Sequence, residues 1–448
     1  MRKGTRPRTS IRRSLTVFAV AGLAAAGLAA CGSSSGGGSG KASGTLKIIT
    51  WVNPPAITAF KKIDAEFEKA NPGDHVELGS AENVNGPYKT LLHTTVSGSS
   101  ADIVTLNQQV QPLPPQMTTA NLSEWQDWAV HGVFAPLNGQ PYLKDYATAA
   151  NATESYQGKQ YGVVSGMYQE GVFYNKAIFA RYHLTPPTTY SQFLTVLKTL
   201  KSHGVTPMWV GLGAVGPAYL VFLFDPLMHS VWGPHVSGGN IATALQKGTT
   251  KWTDPSFATA MSEEKTLGQY LEPGYTGEAW QGMPGAFANQ KAAMLLDGSW
   301  DLATVQKANP KLQVGYFPLP GSNTASDNAS IGTYDLTFSI LNASPNKALA
   351  EKWLAFFSTP KIYSQYVDIT GISSSQTSGT FNSFAAHVLG SYFGKAALTS
   401  TVLPFMSDNA SYWDQPANWP TLQQDVINGS KTPQQAGQLY QSAWKAGG

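Results

Sequence analysis

The chain of 448 residues carries 30 Lys and Arg against 27 Asp and Glu, with 13% charged residues, 11% aromatic residues and one cysteine. That balance argues against a basic nucleic-acid-binding face, and a lone cysteine excludes an internal disulfide framework. A chain of this length buries enough surface to fold without such bridges.

Residues Met1–Arg13 hold Arg2, Lys3, Arg6, Arg8, Arg12 and Arg13 and no acid; Leu15–Ala30 is apolar, and Cys31 follows. A basic head, an apolar middle and small residues before a break describe a secretory signal over residues 1–30. The apolar run is shorter than the ~20 residues that a membrane-spanning helix needs. Leu28-Ala29-Ala30-Cys31 resembles the bacterial lipobox, in which the cysteine thiol is acylated and becomes the first residue. Acylation on more than one chain gives stable membrane attachment. The expected location is therefore the outer face of the cell membrane. Arg12-Arg13 leaves the export route open between the general and the twin-arginine pathways. Residues 31–44 are the lipidated cysteine and a tether of Gly, Ser, Ala and one Lys, too poor in apolar side chains to form a core. Removing the six basic residues of the leader leaves 24 basic against 27 acidic residues, a net charge of about −3.

The body begins with Thr45–Trp51, a β-branched run that reads as a buried strand. After Asn53-Pro54-Pro55, the spacing of Ile57, Phe60, Ile63 and Phe67 predicts an amphipathic helix, stopped by Asn71-Pro72-Gly73. His75–Leu78 is the next strand, Tyr88–Val96 a helix and Asp102–Leu106 a third strand, which together make parallel βαβ units. A second α/β block follows residue 154. Its strand Gly171–Asn175 leads into a helix from Lys176, Thr189 and Gln192 form a capping box for another helix, and Met208–Leu212 is a further strand. Two sets of βαβ signals predict two lobes. Twelve Trp and 19 Tyr suit a carbohydrate ligand, whose C–H faces stack on aromatic rings while its hydroxyls need polar partners.

Several ordered segments carry a resemblance. Phe67–Gly73 (FEKANPG), Ser100–Val104, Gly158–Val163, Phe173–Lys176, Pro186–Tyr190, Lys291–Met294 through Gly298-Ser299-Trp300, and Ser344–Lys347 with Trp353-Leu354 resemble, in order and spacing, family 1 extracellular solute-binding proteins. The likeness covers nearly all of residues 45–448, and the maltose-binding type is among the well-known relatives. It implies an α/β, two-lobed fold that encloses a ligand by hinge closure. The segments expected from it are 45–153 in the first lobe, 154–317 in the second, 318–358 back in the first and 359–448 in the second. The crossings fall near Ala150–Ser155 and Phe317–Gly321, with the last return after Thr359.

The resemblance also implies a sugar or oligosaccharide ligand, two permease subunits with an ATPase as partners, a monomer, and no cofactor. Trp300 falls where family members stack a sugar ring, Trp419 matches another stacking position, and Tyr219 lies in a segment that places an aromatic against sugar. Trp51 and Asn53 end the first strand. Asn107, Gln108 and Gln109 end the third, with amides where relatives carry a carboxylate or a Trp. Trp232, Trp280, Tyr334 and Trp413 are further candidates, and Asp297 either accepts sugar hydroxyls or closes the turn at Gly298. Gly371-Ile372 departs from relatives that carry Pro after the glycine, which predicts a local loop difference.

Enzymatic readings find little support. Gly211–Gly216 formally fits a dinucleotide fingerprint but lacks the acidic residue ~20 positions on. There is no phosphate-binding Gly-x-x-x-x-Gly-Lys-Ser/Thr loop and no His-Glu-x-x-His, and an acylated cysteine binds no metal. Glu170, Glu263 and Glu264 offer carboxylates for glycoside hydrolysis, but no spacing marks a pair. The alternatives to a sugar receptor are a receptor for another polyhydroxyl solute and a ligand sensor.

Overall fold

A computed structural model describes residues 44–82, 86–106, 124–213, 219–398 and 419–447. β1 (Thr45–Trp51) pairs in parallel with β2 (His75–Ala81) on one edge and with β3 (Ile103–Leu106) on the other. Between β1 and β2 runs α1 (Pro54–Ala70), which starts at Asn53 and buries Phe60, Ile63 and Phe67 on one face. Two residues of the Phe67–Gly73 segment hold its end: Asn71 Nδ2 donates to Phe67 O (2.8 Å), and Glu68 accepts from Val76 N (2.7 Å), tying β2 to the helix. α2 (Pro87–Gly98) precedes β3. Strand, helix, strand thus follow in the expected order.

After α3 (Glu124–Val130) and α4 (Thr148–Thr153), the short hairpin β4 (Ser155–Tyr156) and β5 (Lys159–Gln160) leads to β6 (Val163–Val164). β6 still belongs to the first sheet, whose order is β2-β1-β3-β12-β6. The second sheet begins with β7 (Met167–Asn175) and is covered by α5 (Lys176–Arg181), α6 (Tyr190–Ser202), α7 (Val221–Leu227), α8 (Ile241–Gln246) and α9 (Pro255–Gly268). β8 (Met208–Trp209) lies between α6 and α7. The sheet is completed by β9 (Met294–Gly298) after α10 (Met283–Ala288), and by β10 (Val314–Phe317) and β11 (Ile331–Tyr334) after α11 (Leu302–Ala308). β12 (Thr337–Ile340), α12 (Lys347–Phe357) and α13 (Pro360–Thr370) return to the first lobe. α14 (Phe384–Leu389), β13 (Ala397–Leu398), α15 (Trp419–Asn428) and α16 (Pro433–Gly447) complete the chain. β13 extends the second sheet, of order β13-β11-β7-β9-β8.

Sheet membership moves the crossings expected from sequence. The first lies at Ser165–Gly166 rather than Ala150–Ser155, because Val163 and Val164 pair with β12 while Met167 opens β7. The second lies at Asp335–Leu336 rather than Phe317–Gly321, because β11 pairs with β7 before β12 pairs with β3. The third follows α13 instead of preceding it. Ile362, Tyr363, Tyr366 and Val367 pack α13 into the core built on Phe60, Trp353 and Phe357, and Asn382 N still bonds Asp368 (2.8 Å) before α14 begins. At the expected departure, Ile372 is buried and packs where a Cβ on Gly166 would sit.

The three crossing segments form a ribbon. Ser165 N donates to Leu336 O (2.7 Å), Asp335 N to Gly166 O (2.9 Å), and Met167 and Ser373 exchange backbone bonds (2.8 and 2.6 Å). Gln169 fastens its second-lobe end. Its amide donates to Ser330 Oγ (2.9 Å) and Tyr392 O (2.7 Å) and accepts from Ser373 Oγ (2.5 Å) and Gly394 N (2.9 Å).

Two local expectations were only half met. Thr189 Oγ accepts from Gln192 N (3.4 Å), but the Gln192 carboxamide turns to Thr188 N (2.9 Å), so the capping box is incomplete. The strand at Met208 ends at Trp209 because the next backbone donors leave the sheet. Val210 N goes to the Glu272 carboxyl (2.8 Å), Leu212 N to Tyr275 O (2.9 Å) and Gly213 N to Glu278 O (2.6 Å).

Candidate functional site

In open α/β sheets, ligands gather where strands end and the chain turns away. Here that place is the crossing end of each sheet. In the first lobe it is marked by Trp51, Leu106 and Thr337, in the second by Met167, Gly298 and Tyr334.

At the second-lobe end, Trp300 follows β9 in the Gly298-Ser299-Trp300 turn. Its indole folds back over Gly298, so closely that a Cβ at that position would overlap the ring. The indole is half-buried, with Tyr168 nearly perpendicular to it (centroids 4.6 Å, 87°) and Phe222 tilted beside it (5.8 Å, 49°). Tyr219 lies against Phe222 and stacks on Trp280 (5.5 Å, 20°). Gly211 and Gly213 make that stack: a Cβ on Gly211 would meet the Glu278 and Ala279 backbone at 2.9–3.0 Å, and one on Gly213 would overlap the Gly277 carbonyl. Gly211 and Gly213 of the formal dinucleotide match are therefore a docking surface for the segment that leads to Trp280.

Carboxyl groups surround these rings. Glu170, opposite Gly298 in the antiparallel ladder, emerges on the sheet face that Trp300 covers. Burial pushes its carboxyl up to about 8. Burial, then the charges of Glu170 and Glu264, holds Asp225 on α7 well above the usual carboxylate range. Asp297 is fully buried and closes its own turn on Gly298 N (2.8 Å). Burial, then the neighbouring Asp301, holds its carboxyl well above the usual carboxylate range, and burial raises Asp301 to about 6. Asp335, at the second crossing, is likewise raised by burial to about 6. The Tyr168 hydroxyl is raised by burial and by the charges of Glu170, Asp335 and Asp225.

Of the residues expected from sequence, Trp300, Tyr219, Trp280 and Asp297 come together here. Trp51 and Asn53 sit at the crossing end of the first sheet. The Trp51 ring meets Tyr88 edge-on (5.6 Å), and the Asn53 carboxamide caps α1 by accepting from Ala56 N (3.4 Å). Trp232 is placed apart from the site, fully buried between Trp252 and Phe257 with its indole N–H on Thr250 Oγ (3.1 Å). Tyr334 is buried in the first-lobe core, its hydroxyl pushed up to about 12 by burial. Asn107, Gln108, Gln109, Trp413 and Cys31 lie outside the described residues, as does the side chain of Trp419, which begins α15. Sequence reasoning missed Tyr168, Asp225, Asp301 and Asp335 as site residues.

Among the described residues, no group of three or more His, Cys, Asp or Glu is placed to hold a metal ion. No helix among them is long and apolar enough to cross a membrane. The arrangement offers flat aromatic surfaces with buried carboxyl groups on neighbouring strands and helices.

Comparison with known proteins agrees with this architecture. The family described as "Bacterial extracellular solute-binding protein" matches residues 53–363. The multiple sugar-binding protein of Streptococcus mutans serotype c is 26% identical over 314 residues, 70% of each chain. The melibiose/raffinose/stachyose-binding protein of Bacillus subtilis is 22% identical over 334 residues, 73% of each. Among solved structures, the solute-binding protein RafE in complex with raffinose superposes with a TM-score of 0.71 at 20% identity, over 90% of this chain and 99% of that one.

Proposed function

The chain belongs to the bacterial extracellular solute-binding proteins, and from that premise we propose that it captures a sugar or oligosaccharide between its lobes and delivers it to an ABC importer. The observation that carries this reading is the Trp300 indole laid on Gly298 beside the Tyr219–Trp280 stack, within a ring of carboxyls. A pyranose presents an apolar C–H face to such rings and hydroxyls to the acids around them. The sugar ligands named for the relatives from Streptococcus mutans and Bacillus subtilis support the same reading. On this reading the carboxyls hold hydroxyls and catalyse nothing. The three-stranded ribbon between the sheets is the hinge, and two permease subunits with an ATPase recognise the closed form. Acylation of Cys31 anchors the protein to the outer face of the membrane, with residues 32–44 as its tether; Cys31→Ser should yield a protein that lacks the acyl mass at its N-terminus.

The deciding experiment is a thermal-shift and calorimetric screen of the purified protein against mono- and oligosaccharides, raffinose and stachyose included. A saccharide that binds only the folded state raises its melting temperature by mass action. Trp300→Ala should abolish most of that rise while the unliganded melt stays cooperative. Shifts with amino acids, peptides or metal ions alone would overturn the assignment, as would release of a hydrolysed product.

A further inference from the structure

Resting on the saccharide reading above, we propose that the ligand is positively charged, an amino sugar or another basic saccharide, with its ammonium group seated among the carboxyls around Trp300 and Tyr168. The geometry comes first. Glu170 stands opposite Gly298, over which the Trp300 ring lies, Asp301 follows Trp300 in the same turn, and Asp335, bonded through its N–H to Gly166 O, comes two residues after Thr333, the strand partner of Tyr168. Glu170 and Asp225 are only 4% and 5% exposed, yet Glu170 Oε2 and Asp225 Oδ2 are buried with no hydrogen-bond partner.

Among the described residues, no ion pair answers these groups. The ion pairs among the described residues involve other side chains. Beyond residue 44, the segments outside the described residues contain no Lys, Arg or His. Carboxyls gathered out of water without a counter-charge are costly, and each either keeps its proton or waits for a cation. A neutral sugar supplies hydroxyl donors but no charge. An ammonium supplies both, as three donors and a full positive charge, and the faces of Trp and Tyr rings attract it further. A neutral sugar bound there would leave Glu170 and Asp225 without a counter-charge.

The test pairs each amine with a neutral partner of the same shape. Purified protein is titrated calorimetrically at neutral pH with the β-1,4 glucosamine dimer, its N-acetylated form and cellobiose, and with D-galactosamine against D-galactose. The amines should bind roughly tenfold or more tighter than their neutral partners, the scale of a charge-assisted hydrogen bond. Asp335→Asn and, separately, Glu170→Gln should collapse that ratio toward one, with a thermal melt confirming that each variant is folded. Neutral partners that bind as tightly as the amines, or a ratio unchanged in both variants, would overturn the charged ligand and leave the saccharide reading standing. Failure of every sugar to bind, amine and neutral alike, would overturn both.

Discussion

Trp300 rests its indole on the backbone of Gly298, and the contact leaves no room for a side chain beneath the ring. Gly298 has φ −96 and ψ 162, a conformation open to any residue, so the ring alone demands glycine there. Gly298→Ala should fold, lose about 1–3 kcal/mol to overpacking, and lose the saccharide-dependent thermal shift because the indole is pushed off the sheet. Melting curves with and without saccharide, beside near-ultraviolet dichroism, would register both effects.

A second glycine acts on the site from a distance. Gly213→Ala collides with the Gly277 carbonyl and displaces the segment that carries Trp280 to its stack on Tyr219. Saccharide affinity should fall up to about tenfold, in line with the loss of roughly 0.5–1.5 kcal/mol from a ring contact. Calorimetric titration would read it, and Trp280→Phe, which keeps a flat ring, should lose less than Trp280→Ala.

Gln169 spends every hydrogen-bonding site of its amide on four partners from separate segments. Gln169→Leu keeps the volume and strands those partners in a buried place. The expected cost is about 2–4 kcal/mol, read as a lower urea midpoint with an unchanged slope.

Stability should also depend on pH. Burial raises the fully buried Glu154 from an ordinary 4.5 to about 8. Its contribution is fully present below about pH 4.5 and is lost as pH rises through about 8, because the unfolded carboxyl ionises freely and the folded one does not. Glu170 and Glu272 are raised in the same direction and to similar values. Unfolding free energy should therefore decline between about pH 5 and 8. Glu154→Gln should flatten the decline by something on the order of 3 kcal/mol, measured by denaturation at several pH values.

Much of the first lobe was legible because its signals are local. Phe60, Ile63 and Phe67 fall on one helical face, and Asn71 ends the helix with its own side chain. Two segments of the resemblance turn out to be joined. Ser344 donates to Asp102 Oδ1 (2.6 Å), which also receives Asn346 Nδ2 (3.3 Å), while Oδ2 takes Lys47 N (2.7 Å). That network explains why both segments carry those residues.

The site was legible only in part. Trp300 announces itself by its turn, but Tyr168 looks like any strand-end residue until the β7–β9 register sets it beside that ring. Trp232 could not be told from a ligand-facing ring by type alone; what separates it is complete burial and an indole N–H already spent on Thr250. The crossings were misplaced because two-residue β6 carries almost no pattern of its own, and its sheet is set by pairing with a strand more than 170 residues on.

The ribbon at Ser165–Gly166, Asp335–Leu336 and Ser373 has a mechanical consequence. Three strips clamped side by side flex like stacked leaf springs, soft in one bending direction and stiff against shear and torsion. Gly166 sets how tightly they are stacked, since a Cβ there would strike Ile372 and come within 2.8 Å of Ser373 O. A bulkier residue at that one position would alter the stiffness of the spring.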